Sequence, residues 1–391
     1  MPRTKKDPPQ SKPRRRDAPR PKAQDAPRHS AQSEFDFIAQ LRARPSELDA
    51  RGARGLVRGI GDDAAVFAPT PASELLVTSD LLVEEIDFRL DTFEPSDIGH
   101  KAVAASLSDI AAMGGRPRWV LLSIGVPQRL WRKPRFVEDL FDGASSLARL
   151  HGAHVVGGDI SRTPERVVFD ATVIGEAARG RAVYRSGARP GDQIFVTGTL
   201  GGAAGALRVF ERAQALSKSS RREAETFGRE AQTFLSEYSE LTRCQTRPMP
   251  RVEWGAMLGE RGLATAMIDT SDGLSSDLAH LCRESGVGAL VEAALLPIDP
   301  LLRLSRVARG DDFAPALKRD ALKLALHGGE DFELLFTVRP RDARKLPASL
   351  EGVAVTRVGE IREARAGVKL LRGRRETDLR PSGFEHFRRA D

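Results

Sequence analysis

Five short acidic stretches, each flanked by glycine, serine or threonine and each set beside an apolar run, constrain this chain more than any other feature. They are Gly61-Asp62-Asp63, Thr78-Ser79-Asp80, Leu107-Ser108-Asp109, Gly157-Gly158-Asp159 and Asp269-Thr270-Ser271-Asp272-Gly273. A carboxylate buried among apolar neighbours is costly unless a cation or a donor compensates it. Oxygen ligands in this number suit hard divalent cations such as Mg²⁺, and a fold that gathers like charges needs metal between them. Turn chemistry accounts for Gly61-Asp62-Asp63 taken alone, a solvated face for Asp109, and helix capping for one of Ser271 and Asp272, but none of these accounts for all five stretches.

The stretch around Asp109 predicts a helix. Glu94-Pro95-Ser96-Asp97 supplies its start, with Ser96 as N-cap, and Gly114-Gly115 supplies its stop. Val103, Leu107, Ile110 and Gly114 share one face; Ala102, Ala105, Asp109 and Ala112 share another. Before it, Gly59 to Phe67 joins a loop to an apolar strand and Glu74 to Asp80 reads as a second strand, which would bring Asp63 and Asp80 to one sheet end. After it come a strand over 119–126, an amphipathic helix over 133–151, and an apolar strand at His154-Val155-Val156 leading into a glycine turn at Gly157-Gly158. A closing strand spans 166–176. This succession predicts an α+β first domain over 34–180.

A turn-rich linker, Arg185 to Asp192, opens a second, α/β domain over 181–391. Ile194 to Thr199 reads as a strand entering a glycine-rich helix start at Gly201 to Gly205, where backbone N–H groups could seat a phosphate, although the glycines equally suit plain close packing. The Gly-Lys-Ser/Thr ending of a P-loop is missing there. The charged segment 208–245 reads as exposed helix without chemistry. Asp269, Ser271 and Asp272 lie where the strand Ala264 to Asp269 meets the helix marked by Leu274, Leu278 and Leu281, a common ligand position. Gly328-Gly329-Glu330-Asp331 precedes a strand over 332–338, another covers 353–361, and Phe384 and Phe387 could pack on the core or stack on a flat substrate ring.

The net charge of +7 resembles a nucleic-acid signal until it is located. Residues 1–30 hold ten Lys/Arg against Asp7, Asp17 and Asp25, and the rest of the chain is neutral. The Pro-, Lys- and Arg-rich tail 1–33 is too poor in apolar residues to order itself. A solvated extension is the favoured reading, with nonspecific nucleic-acid binding through the tail as the alternative. No apolar run reaches the length of a membrane span and the N-terminus lacks a secretory h-region, so the expected address is cytoplasmic. Cys244 and Cys282 are expected to be inert thiols in a reducing compartment.

Together these motifs, with Arg185-Ser186-Gly187-Ala188-Arg189-Pro190-Gly191-Asp192 and Gly328-Gly329-Glu330-Asp331, resemble the thiamine-monophosphate kinase family of the aminoimidazole ribonucleotide synthetase-like superfamily, from about residue 34 to 387. The resemblance implies ATP-dependent phosphorylation of thiamine phosphate to thiamine diphosphate with several Mg²⁺ ions, on a two-domain fold that dimerises through its first-domain sheets. It makes Asp63, Thr78, Ser79, Asp80, Asp109, Asp159, Asp269 and Asp272 metal-site residues, with Asp109, Arg185, Asp269 and Asp272 carrying the catalysis. Gly158, Asp159, Arg185 and Ser271 would meet ATP, and Asp87, Glu330 and Phe384 the acceptor. Asp87 departs from the family pattern, which often has a ring-bearing side chain there. A synthetase-like use of ATP is the second reading. The relatives that depend on an early or C-terminal Cys do not fit, because no Cys precedes Cys244 and the chain ends Arg388-Arg389-Ala390-Asp391.

Overall fold

The computed structural model describes residues 36–37, 40–41, 54–60, 64–219, 229–303, 312–384 and 387. The basic tail, Asp62 and Asp63 therefore lie outside the described residues. A two-stranded ribbon, β1 (Leu56–Arg58) and β2 (Val66–Phe67), precedes a four-stranded sheet of β3 (Ser73–Val83), β4 (Arg116–Pro127), β5 (His154–Thr163) and β6 (Val168–Ala178), in the order β3-β6-β4-β5. Helices α1 (Pro95–Ala112), α2 (Gln128–Trp131) and α3 (Phe136–Leu150) belong to this half.

The second sheet has eight strands: β7 (Gln193–Thr197), β8 (Ala264–Asp269), β9 (Val287–Glu292), β10 (Leu334–Val338), β11 (Ser349–Leu350), β12 (Val353–Glu363), β13 (Val368–Arg372) and β14 (Arg375–Asp378). Its order is β14-β13-β9-β12-β7-β10-β8, with β11 on β12, and only β13 with β9 is parallel. Around it lie α4 (Gly202–Ser219), α5 (Arg229–Glu237), α6 (Ser239–Thr246), α7 (Val252–Arg261), α8 (Leu274–Ser285), α9 (Phe313–His327) and α10 (Pro340–Ala343). The fold is mixed α/β, as the strand and helix patterns predict.

Helix α1 is buried on nearly every side, which its small residues permit. Gly99 and Gly143 let α1 and α3 cross in backbone contact: a Cβ on either would lie 1.9 Å from a carbonyl oxygen of the other helix. The expected Ser96 cap is absent. Glu94 is the N-cap with Pro95 at the first helical position, because proline presets that turn, and Ser96 Oγ instead accepts from Arg247 at 2.9 Å. One apolar core runs through both sheets, joining Leu107 and Phe169 to Trp254, Met267 and Phe336. The two halves are thus held against each other by packing where they meet.

Alternation along β3 sends neighbouring residues to opposite faces. Leu76 and Leu82 turn inward and are buried, whereas Leu75, Val77 and Leu81 on the outer face are 50, 66 and 58 % exposed. The glycine turn expected at Gly157-Gly158 is instead continuous strand with an irregularity opposite Val120 and Leu121. Glycine is needed at 158 for another reason: φ is +149° and a Cβ would meet Leu122 O at 1.9 Å. The segment 208–245 is not simply exposed, since Ala231, Phe234 and Leu241 bury an apolar face against α4 and α9.

Candidate active site

Three hydroxyls and three carboxylates meet where the two sheets approach each other. Asp109 of α1 accepts from Thr78 Oγ1 at 2.5 Å, and Ser106 Oγ donates to Asp80 Oδ2 at 2.7 Å while lying 2.6 Å from Ala171 O. One turn along the same helix, Ser108 Oγ donates to Asp269 Oδ2 at 2.7 Å, at the end of β8. Each carboxylate thus has one oxygen held by a hydroxyl and no second donor among the described residues. Burial, then the charges of Asp109 and Asp170, push Asp80 up to about 6 against the pull of Ser106. Burial raises Asp109, opposed by Thr78 and Arg185. Burial and the charges of Asp109 and Asp80 raise Asp269, opposed by Ser108 and Arg185.

Arg185 is exposed and makes no ion pair among the described residues. It lines a cleft of about 620 Å³ together with Thr78, Asp109, Met113, Tyr184 and Met267. Oxygen donors that repel one another beside an open cleft fit hard cations. No group of three acidic, His or Cys side chains closes on a single point among the described residues, so the site fits ions that share their remaining ligands with a phosphate.

The other sequence-predicted residues are distributed around this centre. Asp272 is half-buried in the turn after β8, and beneath that turn Asp277 accepts from the Asp272 and Gly273 backbone N–H groups, with burial pushing it up to about 9. Ser271 O accepts from Glu330 N at 2.8 Å, tying this turn to the 328–332 segment. Glu330 has φ +66° and pairs with Lys101 Nζ at 2.7 Å. Phe384 is half-exposed, and its backbone N–H donates to Asp272 O at 3.2 Å, which ties this part of the chain to that turn. The Asp87 carboxylate accepts from Val83 N at 2.7 Å, closing the turn after β3.

Ser79 and Asp159 are not brought to the Asp80 side. Ser79 Oγ donates to Asp170 at 2.5 Å on the outer sheet face, and the row Leu81, Asp170, Ser123, Asp159 puts Asp159 on that same face. The glycine-rich start of α4 is not open to a phosphate either. Gly201 N and Ala203 N donate to the Asp331 side-chain oxygens at 2.7 and 3.1 Å, so this chain's own carboxyl group fills the helix N-terminus.

Asp331 carries a pH dependence. Burial pushes it up to about 8 despite the two N–H donors. In the unfolded chain it returns to about 4, so the folded state holds the extra proton between these values. The stability it contributes is present in full below about pH 4 and is lost as pH rises through about 8. In chelator, the unfolding free energy of the wild type from urea titration is expected to fall between pH 6 and 8 relative to that of Asp331→Asn, by up to about 1.4 kcal/mol per pH unit. Parallel pH profiles for the two proteins would refute this.

Sequence reasoning assigned no role to Ser106 and Ser108, although both lie in the Asp109 stretch, and passed over Lys101, a lone cation among the small and apolar residues of α1. It also missed the buried pair Arg251 and Glu333, which has no local signature.

The profile described as "AIR synthase related protein, N-terminal domain" matches residues 61–177. The chain is 34 % identical over 365 residues to the thiamine-monophosphate kinase of Escherichia coli (strain K12), covering 90 % of this chain and 98 % of the relative. Among solved structures, the thiamine-monophosphate kinase of Stenotrophomonas maltophilia K279a superposes with a TM-score of 0.68 at 38 % identity, covering 86 % of this chain and 96 % of that one. AaThiL complexed with AMPPCP and TMP superposes with a TM-score of 0.64 at 27 % identity, covering 90 and 97 %.

Proposed function

Because the chain belongs to the thiamine-monophosphate kinase family, we propose that it transfers the γ-phosphoryl group of ATP in line, and directly, onto the phosphate of thiamine phosphate. The convergence of Asp80, Asp109 and Asp269 beside the Arg185-lined cleft carries this reading. The AaThiL complex with an ATP analogue and TMP supports both substrates.

The acceptor needs little activation. A phosphate monoester has a second pKa near 6, so about nine-tenths of it is dianionic at pH 7. The obstacle is repulsion between two polyanions. Asp80, Asp109 and Asp269, with Thr78, would hold divalent cations, of which Mg²⁺ fits the oxygen-only donors; such ions supply charge neutralisation on the transferred group. Asp272, and Asp63 outside the described residues, would extend that set. Arg185 adds a positive fork that can pair two phosphate oxygens. Ser271 and Gly158 would meet ATP, and Glu330 and Phe384 the acceptor. The cysteines do not compete as nucleophiles: burial pushes both Cys244 and Cys282 up to about 12. Incubation with ATP, Mg²⁺ and thiamine phosphate should yield thiamine diphosphate, with inversion at a chirally labelled γ-phosphorus. Retention would overturn direct transfer.

The outer face of the first sheet supports a homodimer, since Leu75, Val77 and Leu81 form an exposed apolar row with Ser79 between them. Pairing of this face with its copy would place Ser79 and Asp159 in the contact. Leu81→Glu should then sediment as a monomer where the wild type sediments as a dimer, and an unchanged mass would remove this face from consideration. No helix among the described residues is long and apolar enough to cross a membrane, and a cytoplasmic address accords with two unpaired thiols.

A further inference from the structure

We infer that Lys101 is the positioning residue of the acceptor site: it aims the Glu330 carboxylate and thereby sets affinity for thiamine phosphate without setting affinity for ATP. This rests on the kinase reading above. Lys101 lies in the middle of α1 with none of its surface exposed. Its neighbours Ala102, Val103 and Ala104 are fully buried, and an ammonium group there is costly unless its donors are used.

All of its interactions converge on the acceptor side. Nζ contacts Glu330 Oε1 at 2.7 Å, donates to Asp87 O at 2.8 Å, and lies 5.4 Å from the centre of the Phe93 ring. Gln245 Nε2 donates to the other Glu330 oxygen, Oε2. Glu330 is thus held through both oxygens and by its own N–H on Ser271 O, at a left-handed φ of +66° that its neighbours must maintain.

The Glu330 side chain nevertheless stays 29 % exposed. Each carboxylate oxygen has two lone pairs, so this anion can still accept from a ligand. An acceptor carrying an exocyclic amine and a cationic ring, as thiamine phosphate does, matches a fixed carboxylate. Lys101 is itself closed to solvent and acts only through Glu330. Asp109 lies two helical turns further along α1, about 12 Å away along the axis, and among the described residues no contact joins Lys101 to the Asp80, Asp109 or Asp269 carboxylates.

The test is steady-state kinetics on full-length protein, varying each substrate in turn. Wild-type turnover is measured first: its absence overturns the kinase reading and this inference with it, whereas its presence leaves Lys101 to be judged alone. Lys101→Met is expected to raise KM for thiamine phosphate at least tenfold while KM for ATP stays within twofold, and Glu330→Gln should do the same. In Lys101→Met/Glu330→Gln the shift should be no larger than in either single variant, because the two residues act as one unit. The double variant also leaves no carboxylate without its cation, so it can be measured if Lys101→Met does not fold, and a shift larger than that of Glu330→Gln would then overturn the inference. An unmoved KM for thiamine phosphate, or equal shifts for both substrates, would show that the lysine serves the fold alone.

Discussion

Asp109→Asn is expected to slow thiamine diphosphate formation by about a thousandfold, the scale seen when a group that stabilises transition-state charge is removed. The same protein should unfold in chelator at a urea concentration no lower than that of the wild type. The opposite signs follow from the geometry. Asparagine keeps an oxygen for Thr78 Oγ1 but removes a negative charge that burial disfavours and that pushes Asp80 and Asp269 upward. Without metal, that charge is a burden on the folded state. With metal and ATP, it is one of the few anionic ligands available. Turnover within tenfold of wild type would take Asp109 out of the site, and a lowered midpoint would make it a structural residue.

The largest effect on stability is expected from Arg251→Met, a loss of about 3–5 kcal/mol. Arg251, immediately before α7, grips Glu333 with two parallel bonds, Nε to Oε2 at 2.6 Å and Nη2 to Oε1 at 2.5 Å. Glu333 is buried and also accepts from Thr197 Oγ1 at 2.7 Å and Thr199 N at 3.3 Å. Methionine fills much of the arginine volume but leaves the carboxylate without its cation. Arg251→Met/Glu333→Gln should recover most of the loss, since the amide oxygen can still accept from one of the two donors and the amide N–H can donate to the Thr197 hydroxyl. Equilibrium urea unfolding decides the matter, and a loss below about 1 kcal/mol for the single variant would mean that the pair adds little net stability.

Several elements were legible because their signals are local. The β8 strand, the Thr270 to Gly273 turn and the α8 start follow one another within a short span, and an apolar run, turn residues and a helical leucine pattern mark each. The extent of α1 was similarly clear, but not its Glu94 cap, because Pro95 competes with Ser96 as a start signal. Gly157-Gly158 was misread as a turn. Glycine answers equally to a bend and to a crowding neighbour, and only the position of Leu122 O distinguishes them.

The sequence by itself determined that this chain presents repeated oxygen ligands on alternating strands and helices, with the ordered motifs of a phosphate-transferring family. The tertiary structure decided which of those ligands meet. Ser79 and Asp80 are adjacent yet face opposite sides of a sheet; Asp269 reaches Ser108 of α1 from the other sheet; Asp331 fills a helix start that had looked open to phosphate. The physical reason is that strand register and helix facing set contacts between residues 26 to 161 positions apart, whereas periodicity and turn chemistry reach only a few residues along the chain.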